Sequence, residues 1–438
     1  MKYSFVSLAL LATSTEVFGF PRMAVEHLAG LAERSGEDLP RLLKEKRENL
    51  KRDVGFDAKA QAVSVTGSHA FVPPNFDAGD QRGPCPGLNA AANHGYISHT
   101  GVDTWNNILA GVNEAYGMAL DLATFLAVYG TVFDGNPLSL TPGYSIGGAT
   151  TLSQNILGNG LGLLGEPQGL SGSHNRYESD TSATRGDQYL YGDAFRVQVP
   201  QAQQYVDATP ADPISAPDWY DSLFDFRIAR FDDSLHRNGH FFFSPFAGVL
   251  VAPAAYSFPP AFMSNHSAAY PEGYMTKTIF KSFFSLGGPD NAVTWTEGHE
   301  RIPDNWYKRA IGDEYTIAGF LADVLDYAVR DPRLVNIGGN TGEPDSFFAV
   351  DFSDLTGGVF NTAELLKGNN LECVVFQIIL AAAPDILSGG GITTSGPFKT
   401  LSNNLLSRIS GAGCPQLTKI NNDLYKKYPG YDASKGAV

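Results

Sequence analysis

The sequence predicts a mainly α-helical protein, one helical domain with long irregular loops, and three observations carry that reading. Apolar residues recur every three or four positions over residues 104–132, 315–329 and 360–383, the period of a helix with one buried face. No stretch alternates apolar and polar residues for long enough to compete as a strand series. Between the periodic stretches lie Gly and Pro clusters such as Gly338-Gly339-Asn340-Thr341-Gly342, which read as loops. The 438 residues are 43% hydrophobic and 18% charged, enough to bury a large core, and no fixed-period repeat divides them. A formal net charge of -15 argues against the basic face that a phosphate backbone requires, so nucleic acid is not an expected partner.

Along the chain, Lys2, an apolar run from Phe5 to Ala12 and the small residue Gly19 predict a signal peptide over residues 1–19 and a secreted, extracellular protein. No later stretch approaches the ~20 apolar residues of a membrane span. Residues 20–60 are charge-dense, place Val25, Leu28, Leu31, Leu39, Leu42 and Leu43 at helical spacing, and carry Lys46-Arg47 and Lys51-Arg52. A processed prosegment and a retained N-terminal helix both fit that pattern. The domain itself is placed at residues 70–438, and its first long helix, over 104–132, takes Asp103 as N-cap. Asn265-His266-Ser267 is an N-glycosylation sequon. The block Gly298-His299-Glu300-Arg301-Ile302-Pro303-Asp304-Asn305-Trp306 reads as scaffold, with Asp304 capping a helix start ahead of Trp306.

Two short motifs point to other enzymes and fail on context. Gly143-Tyr144-Ser145-Ile146-Gly147 has the spacing of a nucleophile elbow but follows a loop-like Asn-Pro-Leu-Ser-Leu-Thr-Pro stretch rather than a buried strand. Gly160-Leu161-Gly162-Leu163-Leu164-Gly165 has dinucleotide-fingerprint spacing, yet no strand precedes it and Pro167 interrupts a following helix. No His-Glu-x-x-His or Cys-x-x-Cys supports zinc.

Three cysteines in an exported chain imply one disulfide and one residue left over, or an intermolecular bond. Cys373 and Cys414 fall in the C-terminal region and would close a loop across its last two helical segments. Cys85 lies between Pro84 and Pro86, which fix the backbone and remove two N–H donors ahead of a helical run. That rigid setting suits a fifth ligand to iron.

Arg82-Gly83-Pro84-Cys85-Pro86-Gly87-Leu88-Asn89, followed by Ala92-Asn93-His94-Gly95-Tyr96-Ile97, resembles the fungal haem-thiolate peroxidases, the family of chloroperoxidase and the unspecific peroxygenases. A second block, His174-Asn175-Arg176-Tyr177-Glu178-Ser179-Asp180-Thr181-Ser182-Ala183-Thr184-Arg185-Gly186-Asp187, is similar to that family's second signature, with Ser179 where Gly or His is usual. The resemblance implies a haem b whose iron is held by the Cys85 thiolate, which promotes O–O cleavage of peroxide. It also implies a magnesium ion beside a haem propionate, held by Glu178, Ser179 and Ser182, an oxygen-only set suited to that cation. The alternative for Glu178 is a surface carboxylate or an ion pair with Arg185. The C-terminal cysteines match the disulfide of the longer peroxygenases. Expected reaction partners are hydrogen peroxide and a small, partly apolar organic substrate.

One departure from the family pattern stands out. The resemblance implies a distal Glu that moves the peroxide proton, paired with Arg or His; here the Arg position falls on Ala247 and the Glu position near Ala254, and no carboxylate lies between Phe241 and Phe262. Substitute proton carriers are His174 and Tyr256, with His240 a third polar group nearby. The same gap motivates a rival reading, a haem-thiolate protein that binds or isomerises a ligand; a disulfide-bonded protein without cofactor is a third.

Overall fold

The computed structural model describes residues 55–432 except 157–165, 211–212, 362–364, 366–368, 383–395, 412 and 418–419. The expected signal peptide, nearly all of the 20–60 segment and the Gly160–165 motif therefore lie outside the described residues. The fold is mainly α. Its principal helices are α1 (Pro86–Asn93), α2 (Trp105–Tyr116), α3 (Leu120–Phe133), α4 (Val199–Ala208), α5 (Ala216–Arg237), α6 (Ala252–Phe258), α7 (Lys277–Phe283), α8 (Ile317–Arg330), α9 (Asn370–Ala382) and α10 (Gly396–Gly411). The strands among the described residues have two or three residues each and form two-stranded antiparallel pairs and one three-stranded sheet, Phe242–Phe243 with Gly338–Gly339 and Phe348–Ala349.

Local chemistry explains most helix ends. Thr104, Ser215, Thr276 and Thr316 each accept a backbone N–H in the first turn of α2, α5, α7 and α8. The cap of α2 is thus Thr104, not Asp103, whose carboxylate instead accepts from Ser98 N at 2.8 Å and Asn107 Nδ2 at 2.8 Å. The single helix expected over 104–132 is two helices. Gly117 takes φ 68° and ends α2, a conformation that glycine adopts at little cost, and Met118 bridges to Tyr315 before α3 begins. No helix starts at Asp304. Residues 298–309 are irregular, and Trp306 is anchored by donating Nε1–H to the Met263 carbonyl at 3.1 Å.

Packing runs α2 on α3, α3 on α10, α9 on α10, and α6 against α5 and α8. Trp219, Tyr205, Phe231, Phe241, Phe243 and Phe280 are fully buried in a continuous aromatic core. The chain just before residue 70 belongs to the same body, since Gln61 is buried and donates to the Lys308 carbonyl at 2.8 Å. Cys373 and Cys414 are joined by a disulfide that links α9 to the segment after α10, across a separation of 41 residues. No helix among the described residues is long and apolar enough to cross a membrane.

Candidate active site

Cys85 is the N-cap of α1, with Pro86 as the first helical residue, a position where the missing proline N–H costs nothing. The loop bearing it is fixed from several sides. Asn89 accepts from Gly83 N at 3.0 Å and donates to Gly83 O at 2.9 Å. Arg82 donates twice to Asn93 Oδ1, at 2.9 and 2.7 Å, and Asn93 in turn donates to the Gly298 and Glu300 carbonyls. A Cβ at Gly83 would stand 2.1 Å from the Ile146 carbonyl, so the Gly143–Gly147 motif serves as the surface on which the cysteine loop packs. Ser145 is buried there and accepts from Gly147 N.

Cys85 lines a predominantly apolar cavity of about 230 Å³, the kind of setting in which small molecules and cofactors bind. Its floor carries Cys85, Glu178, Ser179, Ser182, Thr184 and Arg185; another stretch of lining is Phe246, Leu250, Ala254, Ala255, Phe258 and Phe262. Burial pushes the Cys85 thiol up, while the backbone N–H of Leu88, the Arg185 guanidinium and the N–H of Gly87 pull the other way by favouring the thiolate. Cys85 forms no disulfide.

The second signature forms a buried polar knot. His174 Nδ1 lies 2.7 Å from Glu178 Oε2, and His174 Nε2 is 3.8 Å from Asp180 Oδ1. Burial disfavours the imidazolium, but Asp180, Glu178 and Asp187 outweigh it and hold His174 up at about 9. Asn238 Nδ2 donates to both Asp180 and Asp187 at 3.1 Å, tying the loop to the end of α5. Glu178 thus pairs with His174 rather than with Arg185. Its Oε1 and the Ser179 hydroxyl are buried without hydrogen-bond partners. Both residues line the cavity beside Ser182, so the donor set fits a hard cation with one carboxylate and neutral oxygens. Among the described residues no group of three or more His, Cys, Asp or Glu side chains is arranged to hold a metal, so such a cation depends on the serine and backbone oxygens.

Arg185 pairs elsewhere. Its Nη2 stands 3.5 Å from Glu300 Oε1, both side chains being almost fully buried. The sequence reads Glu300 as scaffold, since nothing in a short charged block tells a structural Glu from one that reaches a lining residue such as Arg185. Leaving such buried donors unmade costs about 1–3 kcal/mol each, so their presence is a structural investment.

The distal substitutes do not converge on the cavity. Tyr256 is fully buried, donates its hydroxyl to the Thr181 carbonyl at 2.7 Å and is not part of the lining. His240 stacks on Tyr189 at 4.5 Å, away from the lining. His174 sits behind Glu178. Ala247 and Ala254 are buried on the stretch where π turns, Ala247–Val251 and Pro259–Met263, flank α6. Pro253, Pro259 and Pro260 supply no N–H here, and the ladder slips so that Val251 N bonds Phe246 O at 3.1 Å. The one lining carboxylate among the described residues is Glu178. Of the three tyrosines that line the cavity, Tyr116, Tyr144 and Tyr177, two are committed: Tyr116 donates to the Gly87 carbonyl at 2.7 Å and Tyr177 to the Leu126 carbonyl at 3.1 Å. At the sequon, Asn265 Nδ2 donates to Tyr274 Oη at 3.1 Å and Oδ1 accepts from Tyr307 N at 2.8 Å, so a glycan there would have to displace a formed contact.

The family described as peroxidase, family 2, matches residues 69–311. An aromatic peroxidase of Fusarium equiseti, fscJ, is 40% identical over 98% of both chains. The dothistromin biosynthesis peroxidase dotB of Dothistroma septosporum is 36% identical over 98% of this chain and 99% of its own. An aromatic peroxygenase of Cyclocybe aegerita is 32% identical over 43% of this chain and 48% of its own. With the cysteine loop, the second signature and the apolar cavity in one place, the chain belongs to peroxidase family 2, the fungal haem-thiolate peroxidases, and is an oxidoreductase acting on peroxide.

Proposed function

We propose that this protein is a secreted haem-thiolate enzyme that uses hydrogen peroxide to oxidise or oxygenate a small, partly apolar, aromatic-type molecule, with Cys85 on the iron and a magnesium ion at Glu178, Ser179 and Ser182. The observation that carries the reading is Cys85 at the start of α1, in the lining of an apolar cavity that it shares with Glu178, Ser179 and Ser182. A thiolate-ligated haem bound there supplies O–O cleavage of peroxide. The chain's own residues do the rest. Leu88 and Gly87 aim backbone N–H groups at the sulfur and favour its charged form. Glu178 and Ser179 offer buried oxygens to the cation. Phe246, Leu250, Phe258 and Phe262 exclude water, and the three phenylalanines present flat apolar faces, which orient aromatic rings. The stretch around Ala254 has no group to take or return a proton, and such help is worth ~100- to 10,000-fold, so peroxide activation is slow relative to an enzyme that has it. The similarity to an aromatic peroxidase and an aromatic peroxygenase supports the substrate class.

Rapid-scan absorbance of the haem-loaded protein mixed with peroxide, with and without an aromatic alcohol, tests this. A thiolate-type spectrum with substrate turnover is the expected result; a spectrum that only bleaches, with no product, overturns it.

A further inference from the structure

Arg185 is 2% exposed and lines the cavity together with Cys85 and Glu178. Its Nη1 donates to Thr184 Oγ1 at 2.7 Å. Its Nη2 is 3.5 Å from Glu300 Oε1, beyond good hydrogen-bond range, and neither Nη2 nor Nε has a hydrogen-bond partner. Glu300 is held in turn, accepting from Asn89 Nδ2 at 3.0 Å. Nε–H and Nη2–H form one edge of the guanidinium fork, the edge that matches both oxygens of a carboxylate. A buried cation in the lining of the cavity whose Nε–H has no partner and whose Nη2–H has only a long ion pair to Glu300 retains hydrogen-bonding capacity for such a group.

We propose that Arg185, positioned by Glu300, binds a carboxylate inside the cavity. Two sources share that chemistry: a propionate of the haem, or a carboxylate on the substrate. The proposal rests on the haem reading above and goes beyond it by naming a second anchoring point, separate from the Glu178 oxygens.

The test compares the wild type, Arg185→Gln and Arg185→Lys, each loaded with haem or with haem dimethyl ester. The rate of loss to excess apomyoglobin is followed by absorbance. If the propionate is the ligand, Arg185→Gln loses haem about 10-fold faster or more, as expected for a charge-assisted contact. The gap between haem and its ester narrows by the same factor, and Arg185→Lys, a point charge without the fork, falls between. Glu300→Gln narrows the gap less. If the substrate is the source, haem loss is unmoved. Optical titration then shows that Arg185→Gln no longer binds benzoate-type acids more tightly than their methyl esters. An unchanged haem-to-ester ratio together with unchanged acid-to-ester discrimination overturns the proposal. A wild type that takes up no haem overturns the reading beneath it, an outcome distinct from either.

Discussion

The floor of the cavity and the stretch around α6 are built on opposite principles. The floor, from Cys85 to Arg185, is dense in buried charge, each group locked by another: Glu178 by His174, Arg185 by Glu300, Asp180 and Asp187 by Asn238. The α6 stretch, from Phe246 to Met263, has no titratable side chain in the lining at all. One region gathers the groups that would hold the proposed haem and cation, at the cost of desolvating several ions. The other offers shape and nothing to exchange a proton with. The floor is therefore where charge can be held, and the α6 stretch is where a proton carrier is missing.

That contrast can be broken at its strongest point first. Cys85→Ala removes the one thiol in the cavity lining among the described residues, and haem content after purification should fall to background; unchanged haem would place the ligand elsewhere. Ala254→Glu puts a carboxylate on the apolar stretch, and the rate of reaction with peroxide should rise about 100-fold or more by stopped-flow. No change would mean that proton transfer is already supplied by another route. Glu178→Gln leaves Oε1-type geometry but removes the charge, and bound magnesium per chain, measured by elemental analysis, should drop by more than half.

The smallest expected effect lies behind the floor. Asp134 is fully buried with Arg176 Nε 3.1 Å away, and burial pushes its carboxyl up to about 7 despite that neighbour. The folded protein then binds more protons than the unfolded chain between about pH 4 and pH 7. This contribution to stability is fully present below the unfolded value and is lost as pH rises through about 7. Asp134→Asn should flatten that part of the stability profile, read as melting temperature against pH; an unchanged slope would assign it to other groups.

Much of this was legible in the sequence for physical reasons. Pro-Cys-Pro fixes a local conformation, so the placing of Cys85 at a helix start needs no tertiary information. The 3.6-residue period finds α2 and α8 because each buries one face, whereas α3 and α9 stand out as near-continuous apolar runs because they are buried on almost every side. What the sequence hides is long-range. The break at Gly117 depends on Met118 meeting Tyr315, and periodicity is blind to a break that keeps both faces apolar. Glu300 reaches Arg185 and Asn89 across the fold, and Glu178 chooses His174 over Arg185, from burial and distance that spacing does not encode. Tyr256 reads as a polar group near the site, yet its hydroxyl is spent on the Thr181 carbonyl.

The π turns on either side of α6 have a consequence for how this cavity can change. Each holds one more residue per hydrogen-bonded loop than an α turn, so a bulge can migrate along the segment by re-pairing a few carbonyls while both ends stay anchored. Such a shift rotates the side chains between the bulges by about a quarter of a turn, exchanging which residues look into the cavity without an insertion or a deletion. Ala254, Ala255 and Phe258 thus owe their place in the cavity lining to the slipped backbone register as much as to their positions in the sequence.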